Sequence, residues 1–162
     1  MSLKEEINQA LKTFLKEKKE LEVSTLRQLL SSILNKEKEK RFTLSKENPN
    51  ITEEDSQLVD EEILDVVSLE AKKRREAIEG FEKGGRTESA EKEKKELEIL
   101  KNYLPEQLSE EEINNLVTEA VNKVGAKEIK DMGKVMAELM PKTKGKADGA
   151  LVGKIVKEAL GQ

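Results

Sequence analysis

Residues 96–113 have the sequence ELEILKNYLPEQLSEEEI, which contains the end of one predicted helix and the start of the next. Pro105 ends the first helix, because the residue before a proline is pushed out of the helical region. Ser109 and Glu112 have the spacing of a capping box, in which each side chain accepts a hydrogen bond from the other residue's backbone N–H. We therefore predict a domain boundary at Pro105.

The sequence on both sides of this boundary predicts an all-α fold without a sheet. Apolar residues recur at three- and four-residue spacing, which is typical of amphipathic helices, and Gly84-Gly85 is expected to fold the chain back as a helical hairpin. We expect an N-terminal helical bundle or hairpin in residues 1–104 and a small three-helix domain in residues 105–162. The predicted helices span residues 3–17, 22–41, 53–82, 87–103, 110–124, 132–140 and 149–160.

Two charged stretches have more than one interpretation. The run Lys36–Arg41 is almost wholly charged, and we expect a helix tail in solvent, with a binding patch as the alternative. Glu70 and Arg74 interrupt the apolar stripe of the helix predicted at residues 53–82. Their i,i+4 spacing favours a solvated ion pair, and a buried functional pair is the alternative.

Four local signals set the remaining expected boundaries. Residues 42–51 are predicted to form a loop, since Asn and Pro occur together there. Thr52 is expected to cap the helix that follows. Pro141 is expected to end the helix before it, and Asp148 to cap the last helix.

The composition excludes several classes of function. The chain has 30 basic and 34 acidic residues, a net charge of −4, and neither Cys nor His. Disulfides, thiolate nucleophiles, iron–sulfur clusters and zinc fingers are therefore absent, together with histidine acid–base chemistry and histidine metal ligands. More than half of the residues are Ala, Glu, Lys, Leu or Arg, which is typical of long helices. We predict no catalytic residue, no metal and no cofactor.

No apolar run approaches the roughly 20 residues of a membrane span, and the first residues are acidic where a signal peptide requires basic ones. We therefore expect a soluble cytoplasmic protein without a membrane partner.

Charge is unevenly distributed in the last third of the chain. Residues 105–122 contain five acids and no base, whereas residues 123–157 contain nine Lys and four acids, a net charge of +5. Several of these lysines surround the predicted start of the last helix, where free N–H groups favour anions. A phosphate site is one interpretation, and a lysine-rich loop that keeps the protein soluble is the other. The candidate phosphate-binding residues are Lys134, Lys142, Lys144, Lys146, Gly149 and Lys154.

The residues around these lysines indicate which phosphate-containing ligand the site would bind. Gly149–Lys154 has glycines one residue too close for a phosphate-binding loop of nucleotide-binding proteins, and Ile155 stands where that loop has Ser or Thr. No aromatic residue accompanies the patch, which disfavours base stacking. We expect recognition of backbone and shape, as on structured RNA, and no DNA binding.

Four segments carry a resemblance to a known family: STLRQLL at 24–30, FEKGGR at 81–86, the stretch at 96–113 and DMGKVMAELMPKTKGKADG at 131–149. Together they resemble the GatB/YqeY family, most closely its stand-alone YqeY-like proteins. The resemblance implies a two-part helical protein whose C-terminal domain is similar to the tail of the B subunit of glutamyl-tRNA(Gln) amidotransferase. That tail contributes to gripping tRNA, whereas catalysis lies in domains without a counterpart here.

Three functional hypotheses follow from the resemblance and the charge pattern. The first is a tRNA-binding or tRNA-metabolism accessory protein without catalysis of its own. The second is an accessory subunit in carbon–nitrogen ligation with glutamine as amide donor, with an amidotransferase or an aminoacyl-tRNA synthetase as partner. The third is a helical protein-interaction module.

Overall fold

The structure is a computed structural model that describes residues 1–161, and within them it contains seven α-helices, two short 3₁₀ turns and no strand. The predicted all-α fold is confirmed. None of the helices in these residues is long and apolar enough to span a membrane. The helices are α1 (Leu3–Lys16), α2 (Glu20–Ser45), α3 (Asp60–Lys83), α4 (Thr87–Lys101), α5 (Glu110–Val124), α6 (Met132–Thr143) and α7 (Gly149–Ala159).

The chain forms two compact units, which divide between Leu104 and Pro105. The N-terminal unit contains α1–α4, and its core is built from the predicted apolar stripes. Seven residues of this core expose 1% of their surface or less: Ile7, Leu26, Leu29, Ile33, Ile63, Val67 and Leu100.

A two-glycine turn joins α3 to α4 in the N-terminal unit. Gly85 has a φ of +71°, a left-handed conformation that side chains with a Cβ rarely adopt. The Arg86 N–H donates to the Phe81 carbonyl at 2.8 Å, which closes the turn. Side chains of α3 and α4 then form ion pairs in opposite chain order: Glu82 with Lys94, and Arg74 with Glu96. The two helices therefore form an antiparallel hairpin.

The connection from α2 to α3 differs from the prediction. The second helix continues to Ser45, so that only part of residues 42–51 is a loop. Thr52 does not cap an α-helix: its Oγ1 accepts from the Asp55 N–H at 3.3 Å within a 3₁₀ turn. α3 begins at Asp60, where Glu62 Oε2 accepts from the Val59 N–H at 2.9 Å. Thr52 caps only this short turn, whereas the apolar residues of the hydrophobic core begin at Leu58 and continue into α3.

The solvated interpretation of Glu70 and Arg74 is wrong. Their side chains are 7% and 9% exposed, and Arg74 Nη1 donates to Glu70 Oε2 at 2.5 Å. Arg74 Nη2 donates to Gln28 Oε1 at 2.6 Å, and Arg74 Nε lies 3.4 Å from Glu96 Oε2. Ser32 donates to Glu70 from α2. The guanidinium thus connects three helices, which a helix-by-helix analysis of the sequence cannot predict.

The run Lys36–Arg41 is also less solvated than predicted. Glu37 is buried, and its Oε1 accepts from Lys4 Nζ at 2.6 Å and from the Leu58 N–H at 3.3 Å. One carboxylate in this charged run therefore fixes α1 and the segment before α3 against α2.

The C-terminal unit contains α5–α7 around a second core. The capping box forms as predicted: Ser109 Oγ accepts from the Glu112 N–H, and Glu112 Oε2 accepts from the Ser109 N–H. Its core side chains are almost wholly aliphatic; they include Ile113, Val117, Ala120, Val135, Leu139, Val152 and Val156.

Pro141 does not end α6, contrary to prediction. The helix continues to Thr143, whose buried Oγ1 donates to the Leu139 carbonyl at 3.1 Å, while the Lys144 N–H donates to the Met140 carbonyl. The proline removes one N–H from the last turn. These two hydrogen bonds and the burial of Thr143 keep the turn helical.

Candidate phosphate-binding surface

The six candidate phosphate-binding residues all lie on α6, α7 or the loop between them. This loop, residues 144–147, is called the basic loop. Lys134 and Lys142 lie on α6, Lys144 and Lys146 in the basic loop, Gly149 at the first position of α7, and Lys154 in its second turn. All six are exposed.

The basic loop is held in a defined conformation. The N–H groups of Lys146 and Ala147 both donate to the Thr143 carbonyl, at 2.9 and 3.0 Å. Gly145 has a φ of +74°, which a residue with a Cβ would adopt only under strain. The basic loop is therefore a compact turn at the end of α6 with a lysine on each side of its glycine.

Two further hydrogen bonds connect the basic loop to the segment before α5. Gln107 Nε2 donates to the Gly145 carbonyl at 2.9 Å, and the Leu108 N–H donates to the Lys146 carbonyl at 2.8 Å. Gln107 is not among the site residues predicted from the sequence. It lies in one of the segments that carry the family resemblance, but nothing local indicates a partner 38 residues away.

Acidic residues lie closer to the basic loop than the linear sequence indicates. The Leu108–Lys146 hydrogen bond brings the segment that contains Glu106 and the acidic first turn of α5 next to the basic loop. The positive surface is therefore bordered by negative charge.

The candidate lysines differ in their ion pairs. Lys142 lies 3.9 Å from Glu138, a carboxylate that also accepts from Lys123 at 2.6 Å. The hydrogen bond from Lys123, with the charges of Lys123 and Lys142, lowers the pKa of Glu138. Among residues 1–161, Lys146 and Lys154 have no carboxylate within 4.0 Å of the ammonium group, and neither has Lys134. The charge of Lys134 nonetheless contributes to the lowered pKa of Asp131, after hydrogen bonds from the backbone N–H groups of Lys127 and Glu128.

One of the free backbone N–H groups at the start of α7 is already hydrogen-bonded to a side chain of the protein. Asp148 caps the helix as predicted, and its Oδ1 accepts from the Ala150 N–H at 3.1 Å. An anion at Gly149 would therefore meet a carboxylate already bound to one of the free N–H groups. The exposed lysines, rather than the helix terminus, make this surface a candidate for phosphate.

The described residues 1–161 place no cluster of three or more acidic side chains where it could hold a metal ion.

A comparison with protein-family models matches residues 4–160 to the model described as Yqey-like protein. No curated protein matches the chain. The family model spans almost the whole sequence, both units included, and the chain therefore belongs to the family of Yqey-like proteins.

Proposed function

We propose that the protein is a tRNA-binding accessory protein whose C-terminal unit holds the RNA backbone through Lys134, Lys142, Lys144, Lys146 and Lys154. One observation carries the proposal: Lys146 and Lys154 lie near the start of α7, exposed and without an acidic partner in residues 1–161. A phosphate can bind these ammonium groups without breaking an ion pair.

Structured RNA fits this surface better than an unpaired single strand. The chain's three Phe and one Tyr all precede residue 105, and the chain has no Trp. Without an aromatic platform the C-terminal unit cannot stack bases, and exposed lysines read phosphate positions rather than base edges. The resemblance of residues 131–149 to the tRNA-gripping tail of the amidotransferase supports tRNA among structured RNAs.

A tRNA titration over a range of salt concentrations tests the proposal. With three or four phosphate contacts, the log–log salt slope of the binding constant is expected to be roughly −2 to −4. The triple variant Lys142→Ala, Lys144→Ala, Lys146→Ala is expected to weaken binding strongly and to reduce this slope by about two.

The control variant removes the same number of charges from the N-terminal unit: Lys12→Ala, Lys16→Ala, Lys72→Ala. These three lysines are exposed and have no ion pair within 4.0 Å in residues 1–161. If both triple variants bind tRNA as wild type does, the basic loop only keeps the protein soluble. If both lose affinity equally, binding depends on net charge and not on this surface.

The protein-interaction alternative is favoured by a groove between α2 and α3 in the N-terminal unit. It has a volume of about 620 Å³, with Leu44, Leu58, Val66 and Leu69 among its lining residues. Leu69 is 53% exposed, and an apolar groove between two helices can accept an amphipathic helix. RNA pull-down with Leu69→Glu and with the lysine variant separates the two functions.

Glutamine-dependent amidation, assayed with and without candidate subunits, tests the amidotransferase alternative.

A further inference from the structure

The contact between Gln107 and the basic loop joins two segments that are far apart in the chain. Gln107 Nε2 donates to two carbonyls, that of Pro105 at 2.7 Å and that of Gly145 at 2.9 Å. The next residue continues the contact, since the Leu108 N–H donates to the Lys146 carbonyl. In the basic loop, the two donors therefore bind the carbonyl of a candidate lysine, Lys146, and that of Gly145, which lies between two candidate lysines.

Ala147 of the basic loop packs against the core of the C-terminal unit, but the remaining backbone hydrogen bonds of the loop all lead to the last turn of α6. They run from Lys144, Lys146 and Ala147 to the carbonyls of Met140 and Thr143. They define a turn but attach it to no other element. The bonds from Gln107 and Leu108 attach it to the segment that leads into α5. An attached loop presents its lysines without the entropic cost of ordering the backbone on binding.

We infer that Gln107 is a positioning residue for phosphate binding: its side-chain amide holds the basic loop so that Lys144 and Lys146 are preordered for the RNA backbone. This inference rests on the proposed function. Gln107 is uncharged and is not itself a phosphate ligand in this arrangement. Its role is therefore separable from the electrostatic role of the lysines.

The test compares Gln107→Met with Asn114→Leu. Met keeps the length of the Gln107 side chain and removes its amide. Asn114 has an amide that donates to a backbone carbonyl of its own helix, Glu110 at 2.9 Å, so its loss is chemically matched but removes no hydrogen bond to the basic loop. Two quantities are measured: tRNA affinity with its salt slope, and amide hydrogen exchange at Leu108 and Lys146.

Gln107→Met is expected to weaken tRNA binding about three- to tenfold, the size expected for one lost hydrogen bond. The salt slope stays unchanged because no positive charge is lost. Exchange at Leu108 and Lys146 accelerates, whereas Asn114→Leu changes neither affinity nor exchange at these two amides.

The outcomes separate this inference from the proposed function. Wild-type affinity in Gln107→Met, together with faster exchange, would overturn the inference and leave the proposed function standing. A wild-type chain that does not bind tRNA would overturn the proposed function. In that case exchange alone decides whether Gln107 orders the basic loop, and unchanged exchange would refute this role too.

Discussion

The N-terminal and C-terminal units use their charged side chains in different ways. The N-terminal unit buries Glu37, Glu70, Arg74 and Glu96, each in contact with a neighbouring helix or segment. In the C-terminal unit, within the described residues 105–161, the one buried polar residue is Thr143. Its lysines remain on the surface. Charged side chains thus join helices in the N-terminal unit, whereas no charged side chain is buried within residues 105–161 of the C-terminal unit.

The largest expected effect comes from removing the central cation of the buried network. Arg74→Met leaves the carboxylates of Glu70 and Glu96 buried without their guanidinium partner, which costs about 3–5 kcal/mol of unfolding free energy. Urea unfolding followed by the fluorescence of Tyr103 measures this, because the chain has one Tyr and no Trp. Arg27→Met, at an exposed position of α2, is the control. Equal stability of the two variants would mean that the buried charges do not hold the N-terminal unit together.

A core truncation in the C-terminal unit tests whether the two units unfold separately. Leu139 is fully buried, and Leu139→Ala is expected to cost the C-terminal unit about 2–5 kcal/mol. The fluorescence transition of Tyr103 is expected to stay at the wild-type urea concentration, while part of the helical circular dichroism is lost earlier. A shift of both transitions together would contradict independent units and the predicted domain boundary.

Acid is expected to have a smaller effect on the stability of the N-terminal unit. Burial raises the pKa of Glu70, but hydrogen bonds and charges from Lys73, Ser32 and Arg74 outweigh it, so that the pKa lies below the usual value of 4.5. A lowered carboxylate pKa stabilises the folded state above the unfolded pKa, and this contribution is lost as pH falls through the folded value. Stability reported by Tyr103 is therefore expected to fall below pH 4.5.

The matched variants for the acid prediction are Glu70→Gln and Glu88→Gln. Glu70→Gln is expected to flatten the pH dependence, because the titrating group is gone. Glu88 is exposed and has no ion pair within 4.0 Å in residues 1–161, so its replacement is expected to leave the profile unchanged. Identical profiles in all three proteins would show that other carboxylates control acid unfolding.

Features formed by residues close together in the sequence were predicted correctly, whereas features that depend on packing between distant segments were not. The capping box of Ser109 and Glu112 and the turn at Gly85 involve residues within a few positions of one another, and both form as predicted. The start of α3 was misplaced because Thr52 offers a valid local cap, while packing against the core decides which segment becomes helical. The six candidate site residues are exposed as a binding surface requires, and their role stays a prediction.

By itself, the sequence determined the helical fold, the apolar faces and the excess of lysine in residues 123–157. Each depends on composition or on spacing within one helix. Only the tertiary structure decided that Arg74 is buried between Glu70 and Glu96, and that Gln107 holds the basic loop through Gly145. Except for Arg74 and Glu70, these contacts join residues more than 20 positions apart. The packing of whole helices decides whether a charged or amide group is exposed to solvent or bonded to another residue. The spacing of residues within one helix contains no information about this packing.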